Sequence, residues 1–145
     1  MKKILFYIIY WLLSLTWGAI MTIIGTIGAL ALLITKHNPK TLGPNVYFEV
    51  GKGWGGMSLG PFFFCGKDSP LSTKYHEAGH GLQNILYGPL MPFIVCIPSA
   101  VRYHYRNWLY KHNPKKYFNL PDYDSIWFEG QATKWGTKMY EKKED

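Results

Sequence analysis

Three residues of one pentapeptide could form the centre of a metal-dependent hydrolase. His76, Glu77 and His80 make up an H-E-x-x-H motif. On a helix the two histidines lie one turn apart on the same face, so both imidazoles can reach a single Zn²⁺. The carboxylate of Glu77 then lies beside the activated water molecule as a general base. The motif therefore predicts a zinc site with hydrolytic chemistry.

The residues around this motif predict that it lies on a helix over residues 70–87. Ser69 can cap the helix before Pro70, and proline is well suited to the first helical position. Gly88 followed by proline is typical of a helix end. Gln83, Asn84 and Tyr87 continue the polar face of the histidines on an otherwise apolar helix. Such a face needs polar partners or a wet cleft.

A catalytic zinc takes three protein ligands and keeps one position open. Glu129 is the best candidate for the third ligand. It lies in a segment that we expect to be a helix over residues 124–140, with Asp122, Asp124 or Ser125 available as the N-cap. Glu129 shares one face of this helix with Ala132, Thr133 and Gly136. We therefore expect the glutamate to project between small neighbours towards a packed partner helix.

The combination of H-E-x-x-H with E-x-x-A-x-x-x-G resembles the gluzincin metallopeptidases, in particular the membrane-embedded CAAX-prenyl and heat-shock protease family. This resemblance implies that His76, His80 and Glu129 bind zinc and that Glu77 is the catalytic base. The family usually has an aspartate directly after the alanine, and this aspartate supports a zinc-binding histidine. The chain has Thr133 there. Residues 81–99 also resemble small uncharacterised bacterial membrane proteins.

Other residues compete for roles in the site. The segment from Asn119 to Asp122 resembles the aspartate-bearing segment of site-2 proteases, so Asp122 or Asp124 could be the third ligand instead. His104 lies in an R-Y-H-Y-R segment and could stabilise an oxyanion. The same segment could equally form the face of a helix at a membrane interface.

The amino-terminal part of the chain predicts a membrane anchor over residues 1–35. No charged residue occurs from Ile4 to Ile34, which exceeds the roughly 18 uncharged residues that indicate a transmembrane helix. The run is also longer than the apolar core of a signal peptide. We expect one tilted helix, a helix kinked near Gly18, or a tight helical hairpin.

A second apolar segment covers residues 89–101. It is too short to span a bilayer, and Pro92 and Pro98 interrupt it. We expect a re-entrant or partly immersed segment. The aromatic and basic residues that follow it are typical of a bilayer surface.

A small β-hairpin is predicted over residues 46–65. Its strands are Val46 to Val50 and Leu59 to Cys65, and the glycine-rich turn 51–56 joins them. In zincins an edge strand before the metal helix commonly binds extended substrate, and either strand could serve here.

Composition agrees with a membrane location. The net charge of +7 suits anionic lipids, and the lysines and arginines after residue 35 favour a site at the cytoplasmic face of a bacterial membrane. We expect membrane lipids as partners and no nucleic acid, and self-association could stabilise so small a core. Cys65 and Cys96 lack the C-x-x-C spacing of a metal or redox pair.

Together these patterns predict a mainly α integral membrane protein with a small β-hairpin. Its N-terminal transmembrane helix or helical hairpin would pack on a minimal zincin-like helical domain of residues 36–145. The expected function is a zinc metalloendopeptidase that cleaves peptides or membrane proteins near the bilayer surface. Two alternatives stay open, a non-catalytic zinc-binding membrane adaptor and a structural membrane subunit.

Overall fold

The computed structural model describes residues 2–141. It is mainly helical, as the sequence predicts, and it contains one small mixed sheet. The helices are α1 (Lys2–Leu15), α2 (Ala19–Ile34), α3 (Leu71–Tyr87), α4 (Ile97–His112), α5 (Pro114–Phe118) and α6 (Trp127–Tyr140). The strands are β1 (Lys40–Leu42), β2 (Asn45–Glu49), β3 (Gly56–Leu59) and β4 (Phe62–Cys65).

The first two helices form an arm, called the α1–α2 arm below, that bends by 96°. The bend lies at the predicted position near Gly18. Thr22 stabilises it, since its hydroxyl donates to the carbonyls of Ser14 and Gly18 at 2.7 and 3.0 Å. Tyr10 and Trp11 attach the arm to the sheet by hydrogen bonds to Asn45 and to the carbonyl of Pro44.

Among residues 2–141, no helix taken alone combines the length and the apolar composition needed to cross a bilayer. Two bent pairs meet both criteria jointly. One pair is the α1–α2 arm, and the other joins Leu71–Leu90 to Pro92–His112 with a bend of 118°.

The sheet has the strand order β1-β2-β4-β3, and the predicted single hairpin is wrong. β2 runs parallel to β4, with Phe48 opposite Phe64, and β4 lies between β2 and β3. The expected strand from Leu59 to Cys65 is two strands, because the chain reverses at Gly60. This glycine has a φ of +67°, a conformation that other residues rarely adopt.

Successive side chains of the central strand β4 pack alternately against two helices. Phe63 and Cys65 are buried against Ala78 of α3, whereas Phe64 is buried against Ala29 of α2. This arrangement follows from the two-residue period of a strand, which directs successive side chains to opposite faces. At β4 the sheet therefore lies between α2 and the helix that carries the H-E-x-x-H motif. The bend of the arm contacts that helix directly, since Asn84 donates to the carbonyl of Gly18 at 3.3 Å.

Helices α3 and α6 pack closely as an α3–α6 pair. A Cβ atom added to Gly79 would overlap the carbonyl of Ala132, and one added to Gly136 would overlap the carbonyl of Tyr75. The predicted small-residue face of α6 is therefore the packing face. The predicted start of α6 at residue 124 and its predicted N-cap are wrong. A short 3₁₀ turn occupies Tyr123–Ser125, and Ile126 precedes the helix without a side-chain cap.

The segment 89–101, predicted to be re-entrant or partly immersed, is helical over most of its length. A 3₁₀ turn (Gly88–Leu90) and a π-helical turn (Pro92–Cys96) lead directly into α4. The prolines do not break it, because each lies in the first turn of its helical piece, where a backbone N–H is not needed. Gly88 ends α3 as predicted, with a φ of +52°.

Candidate metal centre

Helices α3 and α6 bring His76, His80 and Glu129 together. Nε2 of His76 lies 3.1 Å from Nε2 of His80, and Oε2 of Glu129 lies 3.1 Å from each of these nitrogens. The two histidines lie one turn apart on α3, and the glutamate projects from the first turn of α6. These residues could together hold a metal ion.

The cluster is buried from solvent to different degrees. Glu129 is fully buried, and about 15% of the His76 side chain is exposed. Burial acts to raise the pKa of Glu129, but the nearby imidazoles of His76 and His80 and the hydroxyl of Ser99 outweigh it and hold the pKa well below its ordinary value. Glu129 is therefore a carboxylate at neutral pH.

A buried amide determines the tautomer of His80. Nδ1 of His80 lies 2.7 Å from Oε1 of Gln83, whose Nε2 donates to the carbonyl of Phe128 at 2.8 Å. Because a carbonyl can only accept, the Gln83 amide is oriented with its oxygen towards the histidine. In the neutral ring, His80 therefore carries its proton on Nδ1, and Nε2 presents a lone pair to the cluster.

The hydroxyl of Thr133 determines the tautomer of His76. Nδ1 of His76 lies 2.7 Å from Oγ1 of Thr133, and this hydroxyl donates to Oδ2 of Asp124 at 2.6 Å. The threonine has one proton to give, so it accepts from the histidine. Nε2 of His76 is therefore also bare in the neutral ring.

These proton assignments test whether a metal fits the residues. Two nitrogen lone pairs and a carboxylate oxygen face one another, an arrangement that repels unless a proton or a cation lies among them. A tetrahedral zinc with bonds of about 2.0–2.2 Å holds its ligand atoms roughly 3.3–3.6 Å apart. The observed separations of 3.1 Å are close to these values. The donor set therefore fits a metal ion.

Glu77 lies beside the cluster and against the sheet. Its side chain is 5% exposed, and its carboxylate is so close to Gly56 of β3 that a Cβ there would lie 2.5 Å from Oε1. Burial raises the pKa of Glu77 to about 7, the nearby His80 opposes this rise, and Glu129 adds to it. A carboxyl group with a pKa near neutrality is suited to general acid–base work.

Sequence reasoning missed two residues that contact the centre from outside the α3–α6 pair. Ser99, in the first turn of α4, donates to Oε1 of Glu129 at 2.5 Å. Tyr123 lies with its hydroxyl 3.5 Å from Oγ of Ser99 and its ring 6.4 Å from the ring of His76. No motif marks either residue, because the π-helical turn before α4 decides which α4 side chain faces Glu129.

A second missed feature is the amide network behind His80. Gln131 accepts hydrogen bonds from Gln83 and Tyr87 at 2.9 and 2.7 Å. The polar face of α3 did signal that such partners exist, since Gln83 and Asn84 are fully buried. The sequence alone did not identify Gln131 as the partner.

The other candidate residues lie outside the cluster. Glu129 completes the group that could hold a metal ion, whereas Asp124 is hydrogen-bonded to Thr133 and Asp122 is exposed at the start of the 3₁₀ turn. His104 is exposed on α4, where its ring packs against Tyr103. The adjacent basic residues bind the chain itself: Arg102 donates to the carbonyl of Tyr123 at 2.9 Å.

A polar cavity of about 350 Å³ opens at the amino-terminal end of α3, next to the start of β3. Its lining includes Gly55, Asp68, Thr73, Tyr103 and Asn107.

Comparisons with protein families, with curated proteins and with solved structures found no match to the chain.

Proposed function

We propose that this protein is a zinc metallopeptidase with a gluzincin-like arrangement, in which His76, His80 and Glu129 hold the ion. The observation that carries this proposal is the convergence of three bare acceptor atoms at 3.1 Å in a buried cluster. Both histidines are fixed in the tautomer that a metal requires. An incidental H-E-x-x-H motif would not need a buried carboxylate and two oriented imidazoles around one point.

Glu77 is the general base in this proposal. Zinc, when bound, would supply Lewis acidity that polarises a carbonyl and makes a water molecule more acidic. Glu77 takes a proton from the attacking water and returns it to the leaving amine as the C–N bond breaks. The products are a carboxylic acid and an amine, so one water is consumed for each peptide bond.

An extended peptide is the proposed substrate, bound along β3. This strand is an edge of the sheet, and Gly56 at its start lies against Glu77. An edge strand offers free backbone donors and acceptors for strand addition. A peptide added there would pass the general base and reach the polar cavity at the start of α3. Neither strand predicted from the sequence supplies this edge, because β2 and β4, which correspond to them, are both internal to the sheet.

The site is proposed to work at a membrane surface, with the α1–α2 arm as the lipid-binding element. The arm exposes large apolar side chains along both helices, including Ile8, Leu12, Ile23 and Ile27, each at least 59% exposed. Exposed Lys2, Lys3 and Lys36 flank these apolar helices. Apolar area edged by lysines is complementary to an anionic lipid surface. The cytoplasmic orientation expected from the sequence belongs to this proposal.

Elemental analysis of the detergent-purified protein tests the proposal. We expect one zinc per chain in the wild type. Glu129→Ala should lose more affinity than the about 10–100-fold typical of changes in outer partners. Glu77→Gln should keep its zinc and lose cleavage of a quenched fluorescent peptide library by roughly 10²–10⁴-fold.

Glu141→Gln, at the exposed end of α6, is the matched control, and it should retain both zinc and cleavage. A wild-type protein purified without chelator that binds no added zinc would contradict the metal site. Full cleavage by Glu77→Gln would contradict the mechanism while leaving the metal site intact.

A further inference from the structure

The two metal-facing histidines are supported by different chemistry. His80 is held by the neutral amide of Gln83, inside a buried network with Gln131. His76 is held by the hydroxyl of Thr133, which in turn contacts the carboxylate of Asp124. On the Nδ1 side of the rings, away from Glu129, a carboxylate among residues 2–141 thus supports only His76, and it does so through an intermediate side chain.

We propose that Thr133 and Asp124 form a hydroxyl–carboxylate relay that sets the tautomer of His76 and strengthens its Nε2 as a metal ligand. The metallopeptidases that the motif resembles usually have an aspartate directly after the alanine, where this chain has Thr133. The relay takes the place of that single aspartate. It rests on the proposed function, because it is a property of the same metal site. Thr133 and Asp124 are positioning residues, since neither contacts the proposed site of the ion.

Proton counting determines the direction of the relay. The carboxylate of Asp124 can only accept, so the one hydroxyl proton of Thr133 points to it at 2.6 Å. The lone pairs of Thr133 then accept the Nδ1 proton of His76 at 2.7 Å. Polarisation by the carboxylate makes the hydroxyl a stronger acceptor than it would be alone. A stronger acceptor at Nδ1 makes Nε2 a better metal ligand.

The fold holds Asp124 in place independently of the metal ligands. Asp124 lies in the 3₁₀ turn Tyr123–Ser125, and Nη2 of Arg102 donates to the carbonyl of Tyr123 and to the hydroxyl of Ser125 at 2.9 and 3.2 Å. Gly130 lets this turn approach α6, because a Cβ atom there would lie 2.7 Å from the carbonyl oxygen of Asp124. The carboxylate is therefore attached to a turn that α4 and α6 both fix.

A double-mutant cycle on zinc affinity tests the relay without relying on activity. Zinc dissociation constants are measured by competition with a chromophoric chelator for Thr133→Val, Asp124→Asn and the double variant. We expect Thr133→Val to weaken zinc binding by about 10–100-fold and Asp124→Asn by a smaller factor. The double variant should be no weaker than Thr133→Val, because the carboxylate acts only through the hydroxyl.

Two further variants separate the relay from a general effect on α6. Thr133→Ser keeps the hydroxyl and should restore affinity to within about threefold of the wild type, the range of ordinary context effects. Thr137→Val makes the same chemical change one turn later in α6 and should leave zinc affinity unchanged. Thermal unfolding of each metal-free variant shows whether the fold is retained.

The outcomes separate the relay from the metal site. Wild-type affinity in a folded Thr133→Val variant, with zinc still lost in Glu129→Ala, would overturn the relay and leave the proposed site standing. Additive losses in the double variant would also overturn it, because independent effects mean that Asp124 does not act through Thr133. A wild-type protein without zinc binding would overturn the relay and the proposed function together.

Discussion

The α3–α6 pair buries polar side chains, whereas the α1–α2 arm exposes apolar ones. In the pair, Gln83 and Glu129 are fully buried, and each is hydrogen-bonded by partners within the chain. In the arm, Ile8 and Ile27 are 59% and 65% exposed. Polar groups are buried where partners satisfy them, and apolar groups are exposed where their proposed partner is lipid. Burial of polar groups in the pair therefore follows their hydrogen-bond partners and not hydropathy alone.

The close packing of the α3–α6 pair should produce the largest effect on stability. Gly136→Ala adds a methyl group that overlaps the carbonyl of Tyr75. Alanine favours a helix over glycine by about 1 kcal/mol, but forcing two packed backbones apart costs more. We expect a net loss of about 2 kcal/mol and a fall in Tm of roughly 5–10 °C. Thermal unfolding in detergent measures the change in Tm.

Two controls sharpen the contrast between the pair and the arm. Gly55→Ala adds the same methyl group where no atom lies within 4 Å of the new Cβ, and it should change stability by less than about 0.5 kcal/mol. Leu12→Ala in the arm, at a side chain that is 60% exposed, should be similarly mild. A Gly136→Ala variant as stable as Gly55→Ala would show that the two helices do not pack as closely as described.

Charges on the arm should affect lipid binding and spare the fold. A variant with Ile8→Lys, Ile23→Lys and Ile27→Lys places three ammonium groups on the exposed apolar surface. We expect its partition onto vesicles of phosphatidylcholine with phosphatidylserine to fall at least about tenfold, because inserting these charges outweighs their attraction to anionic lipid. Flotation with vesicles measures the partition coefficient.

The matched control adds the same three charges elsewhere. Thr41→Lys, Ser72→Lys and Asn119→Lys all lie at exposed positions outside the arm. This variant should bind anionic vesicles as well as the wild type or better. If both triple variants bind equally, the arm is not the lipid-binding element.

The smallest effect is expected at the two ion pairs of Glu49, one within the sheet and one with α3. Glu49 accepts hydrogen bonds from Lys40 and Lys74 at 2.6 and 2.7 Å, and these lower its pKa. A lowered pKa contributes stability that is complete above the unfolded-state value, about 4.3, and is lost as the pH falls through the folded-state value. Because the pairs are partly solvated, Glu49→Gln should lose less than about 1 kcal/mol at neutral pH.

Urea unfolding from pH 7 to pH 2 checks this prediction. The difference between wild type and Glu49→Gln should shrink to zero in acid, where both side chains are neutral. Glu141→Gln, at the exposed end of α6, provides the reference curve. A difference that persists undiminished at pH 2 would mean that the substitution acts through packing and not through charge.

Local patterns predicted much of the helical structure and part of the site. The H-E-x-x-H spacing, Gly88 at the end of α3 and the bend near Gly18 each depend on neighbours within one or two turns. The choice of Glu129 was also readable, because small residues at helical spacing marked the face of α6 that packs on α3. In each case the deciding interactions lie close in sequence or repeat with the helical period.

Strand pairing was not predicted correctly, for a physical reason. Alternation and glycine-rich turns indicate that strands exist, but they do not say which strands pair or in which direction. The chain uses Gly60 to reverse, which places β4 between β2 and β3 and makes the central pair parallel. Pairing is decided by what both faces of β4 can bury, and those partners come from α2 and α3.

The sequence by itself determined which side chains can hold a metal, since two histidines one turn apart and a glutamate on a small-residue face are local properties. Only the tertiary structure decided what surrounds them. Ser99 meets Glu129 from 30 residues away, and Thr133 meets His76 from 57 residues away. Side-chain hydrogen bonds between distant segments leave no periodic trace in a sequence, because they depend on how whole elements pack and on where each one bends.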